Sequence, residues 1–89
     1  MKTIYKYTLS PAQEVYKIPS SNILSAIIQG CDIQVYAIVD TSEQAVENFY
    51  SFKVIGTGSI TSIDLERYTF LNTVQLDNLV FHVFYKKLT

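Results

Sequence analysis

Tryptophan is absent from this chain, cysteine, histidine and arginine each occur once, and there are only two prolines and three glycines. With a lone Cys31 an internal disulfide is excluded. Small secreted domains normally carry several bridges, so a reducing cytoplasm is the expected compartment. The ordinary role for such a residue is a small buried hydrophobe. A reactive thiol needs a nearby cation or a helix start to depress its pKa, and the neighbours Gly30 and Asp32 supply neither. Excess charge is missing too: seven basic against eight acidic side chains leave a net charge of −1. No global field attracts phosphate backbones, which excludes a general nucleic-acid binder. A local basic patch remains open, because Lys2 and Lys6 begin the chain and Lys86 and Lys87 end it. No apolar run approaches the ~18 residues that a membrane span requires, and the alternating N-terminus has no signal-peptide core.

What is present is apolar and ordered. Hydrophobic residues make up 48% and charged ones 17% of the chain, far from the disordered regime. Its 89 residues fit one domain, 1–89, without room for a second core. A chain of this size buries roughly 60–65% of its unfolded surface, and association of copies would supplement that modest core.

Period-two patterning dominates. In residues 2–9, Thr3, Tyr5, Tyr7 and Leu9 share one face of a strand whose other face carries Lys2, Ile4, Lys6 and Thr8. Ser10-Pro11 ends it, and a second strand from Gln13 to Ile18 stops at Pro19. Residues 23–29 read either as a short helix capped by Asn22 and stopped by Gly30, or as a strand buried on both faces. Three isoleucines in so short a stretch favour the strand. Ile33, Val35, Ala37 and Val39 then form a clean apolar row. The polar stretch from Asp40 to Asn48 predicts a loop, with a helical turn suggested by the spacing of Thr41 and Gln44. Alternation resumes from Phe49 to Ile55, Gly56-Thr57-Gly58 closes it, and 59–67 is turn-like. Two dense β runs, Tyr68–Gln75 and Leu79–Lys87, are separated by only three residues, the spacing of a hairpin. These segments predict an all-β fold: one small antiparallel sandwich or partly open barrel of about seven strands, with little or no helix.

Candidate chemistry is sparse. Gly56-Thr57-Gly58 offers backbone N–H groups to an anion, yet it lacks the further glycine, lysine and helix of a phosphate loop; glycines supplying positive φ at a strand exit explain it better. His82 stands alone among large apolar neighbours, with no second His or Cys to complete a metal site and no activated nucleophile beside it. The expectation is therefore no catalytic residue, no metal and no cofactor. Arg67, within Asp64-Leu65-Glu66-Arg67, is set either for a local ion pair or for anion recognition. Seven tyrosines, among them Tyr36 and Tyr50, suit an interaction surface as well as the edge of a core.

The opening Met1-Lys2-Thr3-Ile4-Tyr5-Lys6-Tyr7, the central Ile23-Leu24-Ser25, the block Phe52-Lys53-Val54-Ile55-Gly56-Thr57-Gly58 and the closing Leu79-Val80-Phe81-His82-Val83-Phe84 together resemble a family of short proteins of unknown function found mainly in phages and prophages. Its members often carry tryptophan in the strand matching Ile33–Val39, where Tyr36 is the nearest substitute here. The resemblance implies a small accessory protein of phage type, and such proteins often bind a host factor. Expected, then, is a non-enzymatic protein of the host-cell cytoplasm that binds and inhibits a host protein, one concerned with defence. Its contact residues are drawn from Tyr36, Tyr50, Lys53, Gly56, Thr57, Gly58, Arg67 and His82. Two other expectations stand beside it: an oligomer that sequesters a signalling nucleotide by tyrosine stacking, and a structural protein of the virion.

Overall fold

The computed structural model describes residues 1–88 and consists almost wholly of β-structure. Seven strands occur in chain order: β1 (Lys2–Thr8), β2 (Val15–Ile18), β3 (Asn22–Gln29), β4 (Asp32–Asp40), β5 (Asn48–Gly56), β6 (Thr69–Leu76) and β7 (Leu79–Lys87). A single 3₁₀ turn, Leu65–Arg67, precedes β6; the Asp64 carboxylate caps it by accepting from the Glu66 N–H. All strand pairs are antiparallel, and they form a three-stranded sheet, β1-β4-β3, and a four-stranded sheet, β2-β5-β7-β6.

The core lies where alternation places it. Val35, Ala37 and Val39 of β4 are buried, facing Tyr50 and Phe52 of β5, Val74 of β6 and Val83 of β7. Full burial of an aliphatic side chain contributes about 1.5–3 kcal/mol, so this row carries much of the stability. Around it Tyr16, Phe52, Tyr50 and Tyr85 pack as a ring cluster with centroids 5.6–6.3 Å apart. Ser20 organises the crossing from β2 to β3. Its carbonyl accepts from the Tyr50 hydroxyl at 2.6 Å and the Asn48 amide at 2.8 Å, while its own hydroxyl accepts from the Asn22 N–H at 2.9 Å.

One contact joins the sheets edge to edge. Asn72 accepts from the Ala26 N–H and donates to the Ala26 carbonyl, both at 2.7 Å, so a β6 side chain stands in for a missing neighbour of β3. Irregular register at Leu71 in β6 and at Leu24 in β3 flanks this clasp. A bulge bends a strand and re-aims the side chain beside it, which accounts for the Asn72 side chain reaching Ala26 while its backbone stays paired with Val83.

Several expectations need correction. Residues 22–29 form a strand, but not one buried on both faces: β3 is a sheet edge, and Leu24 and Ile27 are exposed. Cys31 is exposed rather than buried, because Gly30-Cys31 is the two-residue loop of the β3–β4 hairpin, entered through Gly30 at φ +65°. The terminal strands β1 and β7 lie in different sheets, so the lysines at the two ends belong to no common strand pair. The Thr41–Gln44 segment forms no helix; the Asp40 carboxylate instead accepts from the Ser42 N–H at 2.9 Å and turns the chain there.

Candidate functional site

Since Tyr50, Phe52 and Val83 point inward, period two sends Lys53 and Ile55 of β5, His82 and Phe84 of β7, and Phe70 and Thr73 of β6 to the outer face of the four-stranded sheet. The register aligns them in two rows across three strands: Lys53–Phe84–Phe70 and Ile55–His82–Thr73. Phe70 and Phe84 meet edge to face with centroids 5.5 Å apart, and Phe70 remains 54% exposed. Flanking this pair, Lys53 is tied to the Glu14 carboxylate and Lys86 sits 5.7 Å above the Tyr68 ring.

His82 is held from both sides. Thr57 Oγ1 lies 2.7 Å from its Nε2 and Thr73 Oγ1 lies 2.9 Å from its Nδ1. A hydroxyl both donates and accepts, so the two threonines fix the ring whether it is neutral or protonated. The turn after β5 supplies Thr57 through its own hydrogen bonds: the Thr57 N–H donates to the Val80 carbonyl at 2.9 Å, and the Ser59 N–H to the Gly56 carbonyl at 3.0 Å. Only Gly58 of the two glycines takes positive φ, +84°. At Gly56 the demand is space, since a Cβ there would meet Ser59 Oγ at 3.1 Å.

The expected contact residues therefore divide. Lys53, Thr57 and His82 gather on this face, with Gly56 and Gly58 shaping its border. Tyr36 lies on β4, in the other sheet. Tyr50 is 1% exposed and its ring is core, so it offers no surface to a ligand or partner; burial, then the nearby Tyr85, raises its pKa. Arg67 makes a local ion pair with Asp64 at 3.3 Å. Phe70, Phe84 and Thr73 were not among the expected residues. Alternation along β7 was the available signal for Phe84, which shares the parity of His82.

A concavity of about 380 Å³ is lined by Leu9, Tyr16, Ile33, Phe52 and Val54, with Glu14 and Lys53 among its polar residues. Among the described residues no group of three or more His, Cys, Asp or Glu side chains is placed to hold a metal ion, and no helix is long and apolar enough to cross a membrane.

A family model described as a domain of unknown function, DUF7352, matches residues 1–89. The chain belongs to that family. No curated protein and no solved structure matches it. Membership in DUF7352 names no activity, so a functional reading rests on the surface just described.

Proposed function

We propose that this DUF7352 protein is a non-enzymatic accessory protein of phage type that acts in the host cytoplasm by binding and inhibiting a host protein, one of the host's defence components. The outer face of the four-stranded sheet is the contact surface. The observation that carries the reading is the half-exposed Phe70–Phe84 pair, set on hydrogen-bonded strands beside a His82 clamped by two threonines. Interfaces draw most of their affinity from a few aromatic anchors surrounded by polar residues, and anchors held rigid before binding lose little entropy on contact. Lys53, Thr57, Thr73 and Lys86 supply that polar surround.

The test is affinity capture from host cells with the tagged chain, followed by identification of the retained protein and a binding titration with Phe70→Ser. A specific host partner whose affinity falls about tenfold or more in the variant supports the reading. Capture unchanged by Phe70→Ser sinks the proposed face. Protein that carries excess absorbance near 260 nm and a nucleotide by native mass spectrometry would instead establish the sequestering oligomer, and copies in purified particles would establish a virion component.

A further inference from the structure

The four sheet edges are not equally protected. β2 has four residues and lies between Pro11 and Pro19, while β3 and β6 each carry a register irregularity and are clasped to each other through Asn72. β1 is the exception. It runs seven residues in unbroken register with β4 and has neither proline nor bulge. Natural edge strands are normally blunted by such devices, because an open edge is a template for another strand. Lysines also serve as guards, but the exposed Lys6 leans away from the open edge: its Nζ donates to Gln29 Oε1 at 3.0 Å, reaching across β4 to β3.

The hydrogen bonds at the two ends of β1 determine which groups remain open. The Leu9 N–H donates to the Ile33 carbonyl, and the Met1 carbonyl accepts from the Thr41 N–H, each at 2.9 Å. Odd-numbered residues therefore bond to β4. In an antiparallel ladder the alternate residues point their N–H and C=O the other way. Lys2, Ile4, Lys6 and Thr8 thus present eight backbone groups to the open side.

We infer that β1 pairs antiparallel with β1 of a second copy about a two-fold axis at Tyr5, joining the two three-stranded sheets into one of six strands. The strand selects this register itself. Strand parity requires that the axis pass through a residue position. An axis at Ile4 sets Lys2 directly against Lys6 of the other copy, and an axis at Lys6 sets Lys6 against itself; like charges directly opposite are destabilising. An axis at Thr3 leaves Lys6 and Thr8 without partners. With the axis at Tyr5, Lys2 opposes Thr8, Ile4 opposes Lys6, and every open group finds a partner. Tyr5 then meets Tyr5 at a non-hydrogen-bonded position, where cross-strand side chains approach most closely. Ile4 and Tyr5, 56% and 53% exposed, are the large apolar residues that this pairing covers.

The mass of the full chain, measured by light scattering across a concentration series, should rise toward twice that of the single chain. Because Ile4 opposes Lys6 twice in the symmetric pair, Ile4→Glu should associate more tightly than Ile4→Lys, by roughly two- to thirtyfold in dissociation constant. Both variants lose the same apolar contact, so their difference reads register alone. In a Cys31→Ser background, Tyr5→Cys should cross-link on mild oxidation and Thr3→Cys should not. A monomer at every concentration overturns the inference. So does a dimer indifferent to the charge at position 4, or one that cross-links equally through position 3.

Discussion

The two flanks of the three-stranded sheet have the same backbone problem and solve it differently. On one flank, β3 receives a substitute neighbour: the Asn72 amide satisfies both the N–H and the C=O of Ala26, a residue with no exposed surface. On the other, β1 leaves a full row of backbone groups to solvent. A buried polar group must be satisfied from within the molecule, whereas an exposed one is satisfied by water until something better arrives. The closed flank is thus a stability element, and the open flank is the one we propose for association. Substitutions on the first should change unfolding more than binding, and those on the second the reverse.

The largest effect is expected at Asn72. Asn72→Ala deletes both hydrogen bonds and leaves two buried groups of Ala26 unpaired, a cost of about 3 kcal/mol. For a domain of this size that corresponds to a fall in Tm of roughly 12–24 °C in thermal unfolding. Asn72→Asp sharpens the point. A carboxylate still accepts from the Ala26 N–H but faces the Ala26 carbonyl without a proton, so burial and repulsion raise its pKa in the folded state. Relative to the parent protein, this variant should be least impaired below the ordinary carboxylate pKa, about 4, and lose stability as pH rises through the folded value. A flat difference across that range breaks the assignment of Asn72 as a paired donor and acceptor.

Next in size is Tyr50→Phe, at the corner where the chain passes between sheets. The Ser20 carbonyl loses a 2.6 Å partner but keeps the Asn48 amide at 2.8 Å, so the loss should be about 1 kcal/mol in urea unfolding. Tyr50 titrates above its ordinary 10.0 because the ring is buried and Tyr85 is near. The unfolded chain ionises first, so stability holds below pH 10.0 and falls as pH rises through the folded value. The phenylalanine variant should lose less on that alkaline limb.

Asp40 probes the start of the open flank. Its pKa is lowered from 3.8, first by the hydrogen bond from the Ser42 N–H and further by the N-terminal amine and Lys2. Being depressed, it contributes stability above pH 3.8 that disappears as pH falls through the lower folded value. Asp40→Asn should flatten the acid limb of the stability profile slightly. An acid limb unchanged in the variant removes Asp40 from the account.

How far these flanks were legible beforehand follows from what sets each one. The row Ile33, Val35, Ala37 and Val39 is readable because one face is apolar over a whole strand, but the central place of β4 between β1 and β3 is set by pairing that no local pattern records. β5 is harder, since Tyr50 and Phe52 alternate with Phe49 and Ile55; both faces look apolar, so the buried status of Tyr50 follows only from packing. The clasp joins residues 46 apart and depends on a bulge at Leu71, neither of which leaves a local signature. Lys53 and His82 are polar exceptions within apolar runs, and Thr57 stands out through the two glycines around it. The contact of Phe70 with Phe84 was not legible, because it is a product of β6–β7 register, even though alternation along β7 puts Phe84 on the face of His82.

The smallest effect is expected at Lys17–Glu47, an ion pair 2.8 Å long whose side chains are 59% and 46% exposed. It joins β2 to the loop before β5, and Glu47 also helps raise the pKa of Tyr7 on β1, behind the larger effects of burial and Tyr5. At such exposure water and salt screen the attraction, and holding two long side chains in place costs entropy, so Lys17→Ala should lose no more than about 0.5 kcal/mol. A loss well beyond about 1 kcal/mol, shrinking in high salt, would mean that charge holds this side of the molecule much as Asn72 holds the other.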